Sequence, residues 1–529
     1  MEPECSANIS HLLDEILQHI LFFLPIHDAA STSILSKTWL RVWNSLPVFT
    51  FTFDQQNLGL TVPEFVNRVN QSLSPLQSNK VVIKEFLVVM NLSVQEHKDF
   101  VSDIDDWISW VLRNCVRNLT INVSSPTQIY ILPEPIFTSR SLVVVRLYGC
   151  KLPETTFEGA QDFKFLKELY LFEVVADDYQ VQNLIDSCQS LEKLTLVLDH
   201  IVDFLDLDNF LMLHYVFVKG KILRLNAINL LTLEFFGLRE LHLSDSTSNI
   251  KSLSCSFWSR FTTQNISLQE MLSTFTLLEE LNLHLAKSVK SFRIRHCNLK
   301  IVHLYGTGKP ESPWQVEIDM SCLCQLHCHG DAFPSLSVIS PSIKECETLQ
   351  LYINSLDTDF RDCADIHRLG DFLQNFNQSI EVYLNNICTE NLITVEQLQA
   401  QNLIHPATKI KKLILSYFVA SSDYTSFLDV LLFTCHPSYL LIETCVLNGD
   451  PFIKFLCHEL LGREENATCC RDNVVQKCWR HFLKGVEVKC YEKLCETEEL
   501  SCFVSSDLSS TLYMCDTEKS VEFTFEWLE

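Results

Sequence analysis

Ser141–Leu147 reads SLVVVRL, Phe165–Leu171 reads FLKELYL and Ser190–Leu196 reads SLEKLTL. Each carries a Leu-x-x-Leu-x-Leu frame, with Val145 filling one slot of the first. The first leucines stand at 142, 166 and 191, steps of 24 and 25 residues. Successive side chains of a strand point to opposite faces, so the frame leucines share one face and the x positions share the other. A strand with one greasy side cannot close a core by itself, so successive copies must stack. Further copies are Gly237–Leu243 (GLRELHL), Leu277–Leu283 (LLEELNL), Asn298–Leu304 (NLKIVHL) and Lys409–Leu415 (KIKKLIL). Between strands, QVQNLIDSCQ (180–189) and TSFLDVLLFTCHP (425–437) have helical character. Strand then helix at a fixed period predicts an α/β solenoid.

A period of ~20–29 residues is that of leucine-rich repeats. Leu142 to Cys150 completes the longer form of the motif, with Cys150 in the turn position. From about 200 to 400 the spacing loosens, and degenerate repeats or loop insertions are expected there. The x positions line the concave side of such a solenoid. They are Arg146, Tyr148, Tyr170, Phe172, Thr195, Val197, His242, Ser244, Asn282, His284, His303 and Tyr305. Aromatic and amphipathic groups are enriched at binding hot spots. Arg146, Tyr148, Tyr170, Phe172, His242, His284, His303 and Tyr305 are therefore the expected target-binding residues.

The N-terminal segment has a different period. Leu12, Leu13, Ile16, Leu17, Ile20, Leu21 and Leu24 recur every three or four residues, giving a helix with one broad apolar stripe that Pro25 ends. A second helix is expected after Asp28, an N-cap residue, through Ala29, Ala30 and Ile34. A third places Trp39 and Trp43 on one face. Burying the seven stripe side chains is worth on the order of 10–20 kcal/mol gross. A segment of this length cannot bury so much apolar surface alone, so a partner is needed.

The run ISHLLDEILQHILFFLPIHDAASTSILSKTWLRVWNSLPVFTF, Ile9–Phe51, resembles a plant F-box. It matches the family pattern at Asp14, Glu15, Ile16, Leu17, Leu24, Pro25, Asp28, Ala29, Leu35, Ser36, Lys37, Trp39 and Trp43. Leu13 replaces the proline that usually opens the first helix, and Thr38 replaces the arginine that usually follows Lys37. The segments PEFVNRVNQSL, VIKEFLV and DDWISWVLRNCVRNLTINV resemble the link between F-box and repeats in plant F-box/leucine-rich-repeat proteins. CWRHFLKGVEV, Cys478–Val488, resembles the start of the C-terminal domain called FBD, with a polar, acidic continuation unlike the family's. The resemblance implies four parts: an F-box at 1–50, a linking segment and first repeat or cap at 51–125, leucine-rich repeats at 126–460, and a degenerate FBD-like segment at 461–529. The implied fold is a short helical F-box followed by an irregular horseshoe solenoid. The implied function is a non-catalytic substrate adaptor of an SCF-type cullin–RING ubiquitin ligase. The F-box would bind a Skp-type adaptor, and through it a cullin, with Leu12, Leu13, Ile16, Leu17, Ile20, Leu24, Pro25, Leu35, Lys37, Trp39 and Trp43. The repeats would bind a target protein. The alternative is a repeat-type binding module or small-molecule receptor without a ligase role. A receptor for an anionic polyphosphate needs Lys and Arg on the strands, and the visible concave positions supply only Arg146.

Composition narrows the rest. The chain has 529 residues, 47% of them hydrophobic and 20% charged, which is globular composition. The net charge of -25 repels phosphate backbones and anionic lipid, so neither nucleic acid nor membrane is an expected partner. Phe427–Leu447 is the most apolar long stretch, but Asp429, His436, Pro437 and Glu443 interrupt the ~20 residues a membrane span requires. Met1–Asn8 has no basic or apolar signal region, so the 22 cysteines are expected to be free thiols of a protein of the cytoplasm or nucleus.

SCLCQLHCHG (321–330) has zinc-type donors in Cys322, Cys324, His327, Cys328 and His329 without paired Cys-x-x-Cys spacing. Read as one strand, Met320, Cys322, Cys324, Leu326 and Cys328 form a core face and the histidines point outward. Cys469, Cys470, Cys478 and His481 are a second, weaker set. HLYGTGKP (303–310) lacks the first glycine and the hydroxyl of a phosphate loop. DIDDW (103–107) reads as a helix start with solvated carboxylates. No metal, cofactor or catalytic residue is expected.

Overall fold

The computed structural model describes residues 9, 12–22, 31–44, 48–53, 61–73, 83–91, 97–124, 129–154, 163–208, 210–237, 240–243, 249–257, 268–285, 289, 291–306, 315–330, 335–338, 346–353, 366–376, 380–385, 395, 407–416, 424–444, 451–461, 478–493, 500–503 and 519–528. The chain divides into two compact units, 1–219 and 220–529. Both are mixed α/β, with strands predominating among the described residues.

In the first unit the strands Val48–Phe53, Glu85–Asn91, Asn118–Ser124, Val144–Tyr148, Glu168–Val174 and Lys193–Leu198 pair in chain order, every pairing parallel. Residues 215–218 then pair with 193–196. The register aligns the repeat frames, so Val145, Leu169 and Leu194 are direct neighbours, as are Leu147, Leu171 and Leu196. All six are at most 2% exposed, as the alternation dictates. The returning helix Asp178–Asp186 starts on Asp177, whose side chain accepts from the Gln180 backbone N–H at 2.7 Å. Gln180 reciprocates by accepting from the Asp177 N–H at 3.1 Å, completing a capping box. Gly149, with φ +63, makes the turn before buried Cys150.

The second unit repeats the rule over the stretch where spacing was loose. Thr232–Phe236, Ser252–Phe257, Glu280–Leu285, Ile301–Gly306, Gln325–Gly330, Thr348–Ile353, Glu381–Asn385, Thr408–Ser416 and Cys435–Thr444 pair in parallel, each with the next. The irregular region therefore continues the ladder, and Ser291–His296, Gln315–Met320 and Ser335–Val338, which lie between its strands in sequence, form a second parallel sheet. Several of its frames escape recognition because cysteine and valine take leucine slots, as at Cys328 and Val382, both buried.

The ladder's last parallel strand, Cys435–Thr444, pairs antiparallel with Lys519–Trp527, which pairs antiparallel with Leu483–Lys493. The C-terminal segment thereby covers an edge that would otherwise present unpaired backbone groups. Arg480 ties it to the helix Tyr424–Thr434 by donating to Asp429 at 2.8 Å, and Trp479 Nε1 donates to the same carboxylate at 2.7 Å.

Two expectations need correction. SCLCQLHCHG is not one strand: Gln315–Met320 ends in one sheet, a turn follows, and Gln325–Gly330 belongs to another. Cys322 is consequently exposed rather than inward. DIDDW lies inside the helix His97–Arg113 rather than at its start, and Asp105 accepts from Tyr130 OH at 2.5 Å. Phe427–Leu447 breaks into the helix Tyr424–Thr434 and the strand Cys435–Thr444, and no helix among the described residues is long and apolar enough to cross a membrane.

Candidate functional site

The N-terminal helices Asp14–Phe22 and Lys37–Asn44 pack around Leu17, Leu21, Trp39 and Val42, with Ile20 partly buried against them. Arg41 donates to Asp14 at 2.8 Å across the pair. Leu17 and Trp39 are thus the internal core of the segment. Leu12, Leu13, Ile16 and Leu35 of the expected adaptor-binding set are exposed, as are Ile34 and Leu40 outside it. Leu13 is 70%, Leu35 68% and Ile34 86% exposed, an extent that core packing leaves unexplained. Lys37 is exposed at the start of its helix. Trp43 lies on that helix; Leu24 and Pro25 fall outside the described residues. The second expected helix is described only at 31–32, with a turn at 33–35.

On the first unit's outward strand positions, Arg146 donates to Glu168 at 2.9 Å and lies over the Tyr170 ring at 4.8 Å. Lys193 reaches the other oxygen of Glu168 at 3.1 Å, and Tyr170 OH donates at 3.3 Å to the oxygen that Arg146 holds. Glu168 holds the Lys193 ammonium above its usual proton affinity through this bond. Tyr148 and Phe172 pack with their rings tilted at 44° and 6.1 Å apart, and Thr195 and Val197 are half-buried on the same register rows. A bulge at Glu173, φ +54, follows Phe172.

The second unit's outward face carries a ladder of rings. His284 stacks on Tyr305 at 4.4 Å and Tyr305 on His329 at 4.4 Å, while His303 meets His327 at 4.1 Å with the rings tilted at 31°. Phe236 meets His284 edge-on at 5.3 Å. The register produces the ladder: Asn282, His303, His327, Gln350 and Tyr383 occupy one row, and His284, Tyr305 and His329 the next. His327 and His329, singled out in the sequence as metal-type donors, are therefore face residues that continue the rows. Gln350 and Tyr383 gave no signal, because their repeats were not recognised. His242 is exposed beside Glu240 at 3.5 Å, and Ser244 falls outside the described residues.

Burial lowers the proton affinity of all four ladder histidines, and for His327 and His329 it reaches about 4, with the neighbouring His303 adding to the effect. The imidazoles are neutral at pH 7. Among the described residues no group of three or more His, Cys, Asp or Glu is placed to hold a metal ion. Twelve described cysteines are free thiols, and burial pushes Cys150, Cys188, Cys346 and Cys435 up to about 12, which keeps them unreactive.

Comparison with known proteins agrees with this geometry. Residues 9–51 match the F-box domain model, and residues 104–251 match the model "FBD-associated F-box protein At5g56370, LRR repeats". Three Arabidopsis thaliana relatives are a putative FBD-associated F-box protein, At5g56700, 32% identical; an F-box/FBD/LRR-repeat protein, At5g56420, 30% identical; and a putative F-box/LRR-repeat protein, At5g02700, 29% identical. The alignments cover 36%, 35% and 36% of this chain and 46%, 42% and 38% of the relatives, less than half of each. Residues 9–51 are thus similar to F-box domains and residues 104–251 to the leucine-rich repeats of FBD-associated F-box proteins, and the chain spans less than half the length of the relatives it matches.

Proposed function

We propose that the chain is the non-catalytic substrate-recognition subunit of an SCF-type cullin–RING ubiquitin ligase in the cytoplasm or nucleus. The F-box at 1–50 binds a Skp-type adaptor and through it a cullin. The repeats at 126–460, reached through 51–125, form solenoids of the horseshoe kind whose inner faces hold a target protein, and 461–529 is an FBD-like end. Catalysis comes from proximity: a held target raises the local concentration of its lysines near the ubiquitin-loaded enzyme.

The observation that carries this reading is the exposure of Leu13, Ile16, Ile34 and Leu35 on a segment that has already closed its own core. Co-expression with a Skp-type adaptor tests it. Ile16→Asp with Leu35→Asp should abolish co-purification while leaving the circular-dichroism spectrum unchanged. Trp39→Asp should instead unfold the helix pair, because Trp39 is core. Retention of the adaptor by the folded double variant would sink the docking surface. The target-face part has its own test: Tyr170→Ala with Phe172→Ala, and separately His303→Ala with Tyr305→Ala, should each reduce target capture with adaptor binding intact. A small-molecule receptor has less support, since Arg146, the expected cationic contact, is paired with Glu168.

A further inference from the structure

Glu168 and Glu280 occupy the same position of the repeat frame, immediately before the second leucine of FLKELYL and LLEELNL. The chain treats them oppositely. Glu168 is answered by two cations, Arg146 and Lys193, and by the Tyr170 hydroxyl. Glu280 has Ser252 and Ile301 as its register neighbours, where Glu168 has Val144 and Lys193. Ser254 stands beside Asn282 where Arg146 stands beside Tyr170. Among the described residues the Glu280 carboxylate accepts from neutral groups, Ser252 Oγ at 3.3 Å and Asn282 Nδ2 at 3.2 Å. Among the described residues no cation lies within ion-pair distance of it. The nearby rings do not supply one, because His303 and His327 are held neutral by burial even though Glu280 acts to raise their proton affinity. His303 Nδ1 is itself buried without a hydrogen-bond partner. A half-buried carboxylate, an unsatisfied imidazole nitrogen and a stack of rings thus sit together with the cationic member missing.

The geometry points to an arginine side chain of the target protein as the missing member, seated on Glu280 and the His303–Tyr305 ladder. The first unit shows the arrangement completed from within: guanidinium on carboxylate, lying over an aromatic ring at 4.8 Å. A guanidinium has several N–H donors in a flat fork, enough for a carboxylate and an imidazole nitrogen together, and its plane stacks on aromatic rings. An ammonium is a point charge that stacks poorly. The chain's charge of -25 favours a basic segment over an acidic one. The inference deepens the target-binding reading given above and rests on it for the identity of the partner.

Three heptapeptides, alike except for a central arginine, lysine or citrulline, are titrated into the full chain and followed by saturation-transfer NMR. The arginine peptide should bind at least tenfold tighter than the citrulline peptide and tighter than the lysine peptide. Glu280→Gln should weaken the arginine peptide about tenfold or more, whereas Glu134→Gln, the same charge change on an exposed carboxylate of the other unit, should leave it unchanged. Equal binding by the two variants, or equal binding of arginine and citrulline peptides, would overturn the seat. If His303→Ala with Tyr305→Ala loses target capture while the arginine peptide ignores Glu280, the seat is wrong and the face reading stands. If the peptide requires Glu280 and no Skp-type adaptor co-purifies, the seat stands without the ligase.

Discussion

Leu277 and Leu278 are adjacent and chemically identical, yet Leu277 is 46% exposed and Leu278 is fully buried. The frame explains the difference, since only Leu278 occupies its first slot. Leu278→Ala should cost about 2–5 kcal/mol by denaturant unfolding and Leu277→Ala about 0.5 kcal/mol or less; equal losses would mean the frame is misassigned. The ladder histidines make a second residue-scale prediction. Their folded proton affinity lies below the ordinary value of 6.5, at about 4 for His327 and His329. Between 6.5 and about 4 the unfolded chain therefore takes up protons that the folded chain refuses. Their contribution to stability is complete above 6.5 and is lost as pH falls through that window. The denaturation midpoint of the natural chain, compared with that of His327→Gln with His329→Gln, should show a stability difference that shifts in the variant's favour from pH 7 to pH 5. A constant difference would show that the rings titrate as they do in water.

At the scale of elements, the capping box is the local device that starts a returning helix. Asp177→Ala removes an acceptor from the Gln180 N–H and should cost about 1 kcal/mol, with loss of amide protection confined to the first turn of Asp178–Asp186. Asp177→Asn should restore most of it, because asparagine also caps. The N-terminal helices show the limit of reading elements from pattern. The stripe Leu12–Leu24 was legible as seven apolar positions, but a stripe does not say which of its members meet the partner helix. The helix crossing put Leu17 and Leu21 against Trp39 and Val42 and left Leu13 and Ile16 outside.

At the scale of each whole unit, the antiparallel pairing of Lys519–Trp527 on Cys435–Thr444 closes a long apolar edge. Trp527 Nε1 donates to Pro437 O at 2.7 Å and stacks on His436 at 4.0 Å, joining strands far apart in sequence. Truncation after residue 477 should uncover that edge, and light scattering should then report more self-association than for the full chain. A truncated chain as soluble as the full one would mean the edge needs no cover. The segment's acidic, polar composition hides this role, since long-range strand pairing leaves no local periodicity to read.

The sequence by itself determined the repeat, the direction of the frame leucines and the F-box, because strand alternation and helical stripes are local regularities written in residue spacing. Tertiary structure alone decided which loose segments between 200 and 400 join the ladder, which apolar side chains of the F-box stay outside its core, and which side chains meet across the outward strand positions. Those outcomes depend on register between strands some 20 to 30 residues apart. Register brings Glu168 to its two cations and gives Glu280 none among the described residues, though the two glutamates are indistinguishable in the sequence motif.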